Sequence, residues 1–152
     1  MKSKTTVKKK KRAPLTLPKL TAKCQRIFNE YIRLRDAGDR CISCGSDKAN
    51  QAGHSFPVRQ YSALRFTPLN VHLQCAYCNA YLHGNQANYR MGLVEKVGEQ
   101  QVYQLELLSR RVKSYKWTRK DLEIIIEQYQ LEIERMKNGV QQERLQNSEA
   151  TV

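Results

Sequence analysis

The sequence predicts an α+β fold: a zinc-stabilised strand–loop–strand–helix core set between an N-terminal helix and C-terminal helices. Three observations predict it. Two CxxC pairs, Cys41/Cys44 and Cys75/Cys78, stand with 30 residues between Cys44 and Cys75. Two short runs bounded by Pro57 and Pro68, at 52–56 and 71–74, read as paired strands. Stretches with apolar residues at three- and four-residue spacing flank this segment on both sides.

Both thiolates of a CxxC reach one tetrahedral ion, and two pairs complete a closed four-cysteine zinc site, one per chain. Disulfides or a redox dithiol are the alternative readings. Gly45 after Cys44 suits the tight turn of a zinc knuckle. The fifth cysteine, Cys24, falls in a helical stretch and reads as a buried small hydrophobe rather than a further ligand.

The first helix begins near Lys19 or Thr21, carries Cys24, Ile27, Phe28, Tyr31, Ile32 and Leu34, and stops at Gly38. The second CxxC opens a helix that breaks near Gly84-Asn85. Two further helices follow over 100–115 and 120–137, the last with Thr118 and Asp121 as a capping box, Trp117 and Leu122 as its staple, and Gly139 as its end. Along that helix Leu122, Ile125, Tyr129, Ile133 and Met136 form one stripe, while Ile124, Ile126 and Leu131 lie off it. Apolar residues on two sides predict a homodimer interface. The domain reading is thus a disordered basic arm at 1–18, the core with its helical extensions at 19–138, and a flexible tail at 139–152.

The 152 residues contain 27 Lys+Arg against 14 Asp+Glu, a net charge of +13. Nine of the basic residues and no acidic one fall within residues 1–23, among them Lys8, Lys9, Lys10, Lys11 and Arg12. Such an arm reads as a contact for polyanions, nucleic acid first, with a solubilising tail as the alternative. No apolar run approaches the ~18–20 residues that span a bilayer, and no apolar h-region follows the N-terminal lysines. Paired thiols without an export signal predict a cytoplasmic setting.

Zinc leaves His54, Asn70, His72, Asn79 and His83 without a role. The order His54, Asn70, CxxC, Asn79 resembles that of the HNH, or ββα-metal, nucleases, whose core is treble-clef-like. More narrowly, AGH at 52–54, LRF at 64–66, NVHLQCAYCN at 70–79, GN at 84–85 and YR at 89–90 resemble the phage lambda NinG (Rap) recombination proteins over about residues 20–115. The resemblance implies a structure-specific endonuclease that cleaves branched DNA, Holliday junctions and D-loops, by metal-dependent phosphodiester hydrolysis. It implies His54 as general base, Asn70 holding the hairpin or orienting His54, and Asn79 offering its amide oxygen to Mg2+ or Mn2+.

One position departs from the family pattern. Many HNH enzymes carry Asp or His just before the base as a metal ligand, and here that residue is Gly53. His83, four residues after Asn79, resembles the second ligand of the HxxxH variant in nuclease colicins. His72 is the other candidate, and could exchange roles with His54. Arg90 is a candidate phosphate contact. Plain structural readings stand beside these: a hairpin histidine for His54, a helix cap for Asn79, solvated surface for His83 and Arg90. For the whole chain the alternative is a non-catalytic zinc module that binds DNA.

Overall fold

The computed structural model describes residues 13–149, with side chains described as far as residue 139. Lys8, Lys9, Lys10, Lys11 and Arg12 of the expected arm, and the last residues of the expected tail, lie outside the described residues.

Helix α1 spans Leu17–Arg35. It starts earlier than expected, so Leu17 and Pro18 belong to the helix rather than the arm. Pro18 falls in the first turn, where its missing N–H has no intrahelical partner to lose. A loop carrying Cys41 and Cys44 leads to strand β1 (Ala49–His54), which pairs antiparallel with β2 (Val71–Cys75). The register sets Gly53 opposite His72 and His54 opposite Val71. β1 stops at His54, two residues short of expectation. Beyond it the Ser55 N–H donates to the Asn70 carbonyl and Phe56 is held by the Asn70 side chain instead of a ladder.

After Cys75 the chain makes a single π-helical turn, Tyr77–Tyr81. It then reverses through three successive residues with positive φ, His83, Gly84 and Asn85, into α2 (Gln86–Val97). The expected helix after Cys78 is therefore one turn long. His83 lies beyond its end and does not share a helix face with Asn79.

Helix α3 (Glu99–Arg111) ends before Tyr115, because the following strap is pinned to the inter-strand loop. The Tyr115 N–H donates to Ser62 Oγ at 2.9 Å, and Trp117 Nε1 donates to the Ser62 carbonyl at 3.0 Å. The capping box of α4 (Arg119–Glu149) forms as expected. The Thr118 N–H donates to Asp121 Oδ2 at 2.9 Å, and the Asp121 N–H to Thr118 Oγ1 at 3.2 Å. Gly139 does not end this helix, which runs on to Glu149. A helical Gly costs only about 1 kcal/mol relative to Ala, and the residues after it, VQQERLQ, are mostly good helix formers.

α1 packs against α4 and against both strands. Leu20, Cys24, Ile27, Phe28 and Ile32 meet Leu122, Ile126, Tyr129 and Ile133, with Phe66 and Val71 closing the layer. A second cluster, Leu64, Tyr89, Leu93, Val102 and Leu105, joins α2 and α3 to the inter-strand loop. Ile126 is thus interior to the single chain, and it cannot also serve a homodimer interface. Its place four residues after Leu122 and three before Tyr129 puts it on the α1-facing stripe, and Ile125 is only half-buried. Ile124 and Leu131 are the exposed apolar pair.

An ionic clasp joins the two layers. Asp36, buried just past the end of α1, takes Arg35 at 2.7 Å and Lys96 of α2 at 3.2 Å. Its Oδ2 also accepts the backbone N–H of Leu73. Burial alone would raise this carboxyl, yet the Arg35 guanidinium and Lys96 hold it below its usual value. Breaking a buried pair from one side costs about 3–5 kcal/mol. Asp36→Asn should lose roughly that in urea unfolding at pH 7. A depressed carboxylate stabilises above its unfolded pKa, and loses that contribution as pH falls through the folded one. The gap between wild type and variant should therefore close as pH drops below about 4.

Candidate metal centre and active site

The four Sγ atoms of Cys41, Cys44, Cys75 and Cys78 all lie within 4.8 Å of one another. At a Zn–S distance of about 2.3 Å, tetrahedral geometry separates sulfurs by about 3.8 Å. Cys44 Sγ and Cys75 Sγ stand 3.8 Å apart, far beyond the ~2.05 Å of a disulfide, and all five cysteines are free. The residues fit a four-thiolate metal site and exclude the disulfide alternative.

Backbone and side-chain donors already face the sulfurs. The Cys78 N–H points to Cys75 Sγ at 3.4 Å and Asn85 Nδ2 to Cys78 Sγ at 3.3 Å. Burial raises the Cys41 thiol, but the surrounding backbone donors of Cys75, Cys44 and Ser43 outweigh it and bring it to about 7. Gly45 takes the positive φ of the knuckle and donates its N–H to the Cys41 carbonyl at 2.8 Å. Cys24 is buried in the α1–α4 layer, with its thiol pushed up to about 11 by desolvation; it is no ligand.

His54 ends β1 half-buried, and its Nε2 lies 3.0 Å from the carbonyl oxygen of Arg65. A carbonyl only accepts, so Nε2 carries the proton and Nδ1 is left as the basic nitrogen. Burial lowers the pKa of His54 below 6.5, against the carbonyl bond that raises it, and the nearby Arg65 charge lowers it further. The imidazole is neutral at pH 7.

Asn70 is wholly buried and spans the loop. Its Oδ1 accepts the Phe56 N–H at 2.7 Å, and its Nδ2 donates to the carbonyls of Phe56 and Leu64, each at 3.1 Å. It holds the hairpin and fixes Leu64, the neighbour of the residue that holds His54. Asn79 sits on the π-helical turn, where its Nδ2 donates to Gln51 Oε1 at 2.8 Å. Its Oδ1 has no hydrogen-bond partner among the described residues.

The other candidates are placed differently from the expectation. His72 projects from β2 on the face opposite His54, since paired residues share a face and neighbours alternate. It is buried against Tyr89, whose hydroxyl lies 3.3 Å from its Nδ1. Burial and the Arg35 charge lower its pKa to about 3. His72 cannot exchange roles with His54, because the sheet lies between them. His83 is exposed on its left-handed backbone. Arg90 is tied to Glu106 at 2.6 Å and to Glu99 at 3.1 Å, so its charge is already matched.

Gly53 has a physical explanation. A Cβ there would run into Gln74 Oε1, and Gln74 is wholly buried, its Nε2 donating to Ser43 Oγ at 2.7 Å and the Gly84 carbonyl at 2.8 Å. Gln74 thus fills the space in which a residue before His54 would extend its side chain. Gln51, Arg65 and Gln74 do not stand out in the sequence. Only LRF at 64–66 carries a signal, through the resemblance.

Together these elements define a small α+β domain in which four cysteines able to hold a metal ion gather at the base of a two-stranded hairpin that presents a neutral histidine. The chain belongs to the NinG family: the sequence model described as "Bacteriophage Lambda NinG protein" matches residues 1–139. It is 33% identical over 117 residues to the protein named ninG of Escherichia phage lambda, covering 76% of this chain and 56% of that one. The ninG proteins of Escherichia phage 933W and Salmonella phage P22 are 33% identical over the same length. The chain spans little more than half the length of these curated relatives. No solved structure matches it.

Cys75→Ser removes the sulfur shared by strand and turn. Structural zinc contributes about 10–16 kcal/mol apparent, comparable with a whole domain's stability. Elemental analysis should find one zinc in wild type and little in the variant, whose hairpin amides should exchange rapidly. Cys24→Ser should keep its zinc. A second check concerns Gly53: Gly53→Ala should destabilise by about 1–3 kcal/mol by displacing the buried Gln74 amide, and Gln74→Ala in the same chain should remove that penalty.

Proposed function

We propose that this chain is a metal-dependent endodeoxyribonuclease of the HNH type, acting on branched DNA such as Holliday junctions and D-loops. The observation that carries the reading is the fixed tautomer of His54. Nε2–H is held by the Arg65 carbonyl, so Nδ1 is kept unprotonated at pH 7 as a general base requires. Family membership and the strand–loop–strand–turn order support it.

In this reading Nδ1 takes the proton of an attacking water, while the carbonyl of Arg65 steadies the imidazolium that forms. Asn70 keeps the loop, and hence that carbonyl, in place. Asn79 bonds Gln51, which the register puts with His72 on the face opposite His54. An Mg2+ or Mn2+ ion on the partner-free Oδ1 of Asn79 would therefore have to meet the phosphate round the edge of the hairpin, where it would stabilise charge on the phosphate and leaving oxygen. Phosphate oxygens and waters would complete its shell. A homodimer would bring two such sites to the paired strands of a junction, and the exposed Ile124 and Leu131 are the apolar positions left for it.

The competing reading, a zinc module that binds DNA without cutting it, is favoured by the amides of Asn70 and Asn79, both of which brace the hairpin. A Mg2+-dependent cleavage assay on junction, flap and linear DNA separates the two. His54→Ala should lower cleavage by about 10²–10⁴-fold with binding unchanged. The wild-type rate should fall tenfold per pH unit below the depressed His54 pKa, hence only below 6.5, and be level from there to pH 8. Cleavage absent from zinc-loaded wild type would establish the binding module, whereas cleavage unchanged in His54→Ala would overturn His54 as the base.

A further inference from the structure

We infer that the groove between α1 and the Arg65 loop is a binding site for the phosphodiester backbone of nucleic acid. The groove encloses about 400 Å³ and is lined by Ala22, Gln25, Arg26, Asn29, Arg33 and Arg65. No acidic residue lines it.

Its floor is a chain of neutral amides that orients one cation. Gln25 Nε2 donates to Asn29 Oδ1 at 2.8 Å, and Arg65 Nε donates to Gln25 Oε1 at 2.7 Å. The Arg65 guanidinium also lies over the Phe66 ring, 5.5 Å from its centroid. Two contacts fix the plane of the group and neither neutralises it. Among the described residues no carboxylate lies within ion-pairing distance of Arg26, Arg33 or Arg65. Glu30, the one acidic residue of α1, is taken by Lys137 of α4 at 2.8 Å. Burial lowers the pKa of Arg65, and only the buried Cys24 thiol acts against that, with no carboxylate beside it.

A half-buried, oriented guanidinium without an anion is costly to maintain unless an anion arrives. The planar fork matches phosphate oxygens, and Arg26 and Arg33 add two exposed forks on the rim. Seven residues of helix separate those two, about 10.5 Å along the axis. That span suits a chain of phosphates, comparable with three steps of one strand at about 3.4 Å rise, and exceeds a single free phosphate. Arg65 also links the groove to the candidate site, since its carbonyl holds His54. The assignment therefore deepens the nuclease reading by naming where the scissile strand's backbone lies, but as a binding site it can be tested without cleavage.

The test is fluorescence anisotropy of full-length, zinc-loaded chains on labelled linear and four-way-junction DNA, from 50 to 300 mM salt without Mg2+, beside cleavage by the same preparations. Arg26→Gln with Arg33→Gln, both at exposed positions, should weaken binding to both DNA forms. It should flatten the log–log salt slope by about 0.9 for each phosphate that is no longer neutralised. Arg65→Gln should do the same, and Arg65→Lys should recover part of the affinity. Arg135→Gln, an exposed arginine of α4 already paired with Glu132, is the control for net charge and should change the slope little.

Unchanged slopes in the groove variants, or an equal loss in the Arg135 variant, would overturn the groove. So would full competition by inorganic phosphate at low millimolar concentration, which would mark a site for the free anion. His54→Ala should bind with the wild-type slope. If that variant still cleaves while the groove variants lose binding, the nuclease assignment to His54 fails and the groove stands.

Discussion

Four cysteines converge on one point, where a single metal ion would hold together a hairpin that is marginal by itself. Two short strands form a sheet that is marginal in water on its own. The cysteine cluster joins the loop before β1, the last residue of β2 and the turn after it, so that both ends of the hairpin are anchored at one centre. The side chains of the candidate site hang from this frame. His54 sits at the end of β1 away from the cysteines, and Asn79 follows the last of them directly. A change in the metal centre therefore reaches both at once.

Away from the cysteines the hairpin opens into a loop from 55 to 70, and there a different device takes over. Asn70 spans the loop with three hydrogen bonds to two backbone segments, and Leu64 inserts into the second apolar cluster. Arg65 comes next in the chain: its carbonyl meets His54 and its guanidinium meets α1. One residue thus couples the imidazole to the helical layer. Phe66 then packs with Phe28 of α1. The inter-strand loop is where the cysteine-clustered half and the helical half of the protein are joined.

How much of this is legible in the sequence divides along physical lines. Cysteine spacing, turn glycines, the Thr118–Asp121 cap and Asn70 before the second strand are local signals, and the structure keeps each of them. Signals that depend on tertiary context mislead. Gly139 looks like a stop, but helix propensity on both sides carries α4 through it. His83 has the spacing of a helical partner for Asn79, yet the left-handed run His83–Gly84–Asn85 turns the chain first. His72 looks as available as His54 until the register places it on the face that α2 covers. Ile126 is indistinguishable from Ile125 by composition; which of the two faces α1 is fixed by packing with Phe28 and Ile32. Arg65 is invisible as a working residue because its role divides between a carbonyl and a side chain, each meeting a different element.

Gly53 shows how one departure from a family pattern follows from a neighbour. A side chain at this position would project on the same face as Gln74, across the narrow hairpin. There the Gln74 amide has two hydrogen bonds through Nε2 and a buried Oε1 without a partner among the described residues. An unpartnered buried oxygen is costly, by about 1–3 kcal/mol, and it persists only where removing it costs more. What it supports is the link from β2 to Ser43 in the first cysteine loop and to Gly84 in the chain reversal. The space in which a residue before His54 would extend is here given to bracing the first cysteine loop against the turn. Under the proposed nuclease reading, the oxygen donors for a hydrolytic ion would come from Asn79, water and the DNA phosphate itself. An ion assembled in that way would be held firmly only when substrate is bound, so its apparent affinity should rise in the presence of uncleavable DNA. Calorimetric titration of Mn2+ with and without such DNA would show it, and equal affinity in both would place the ligands elsewhere.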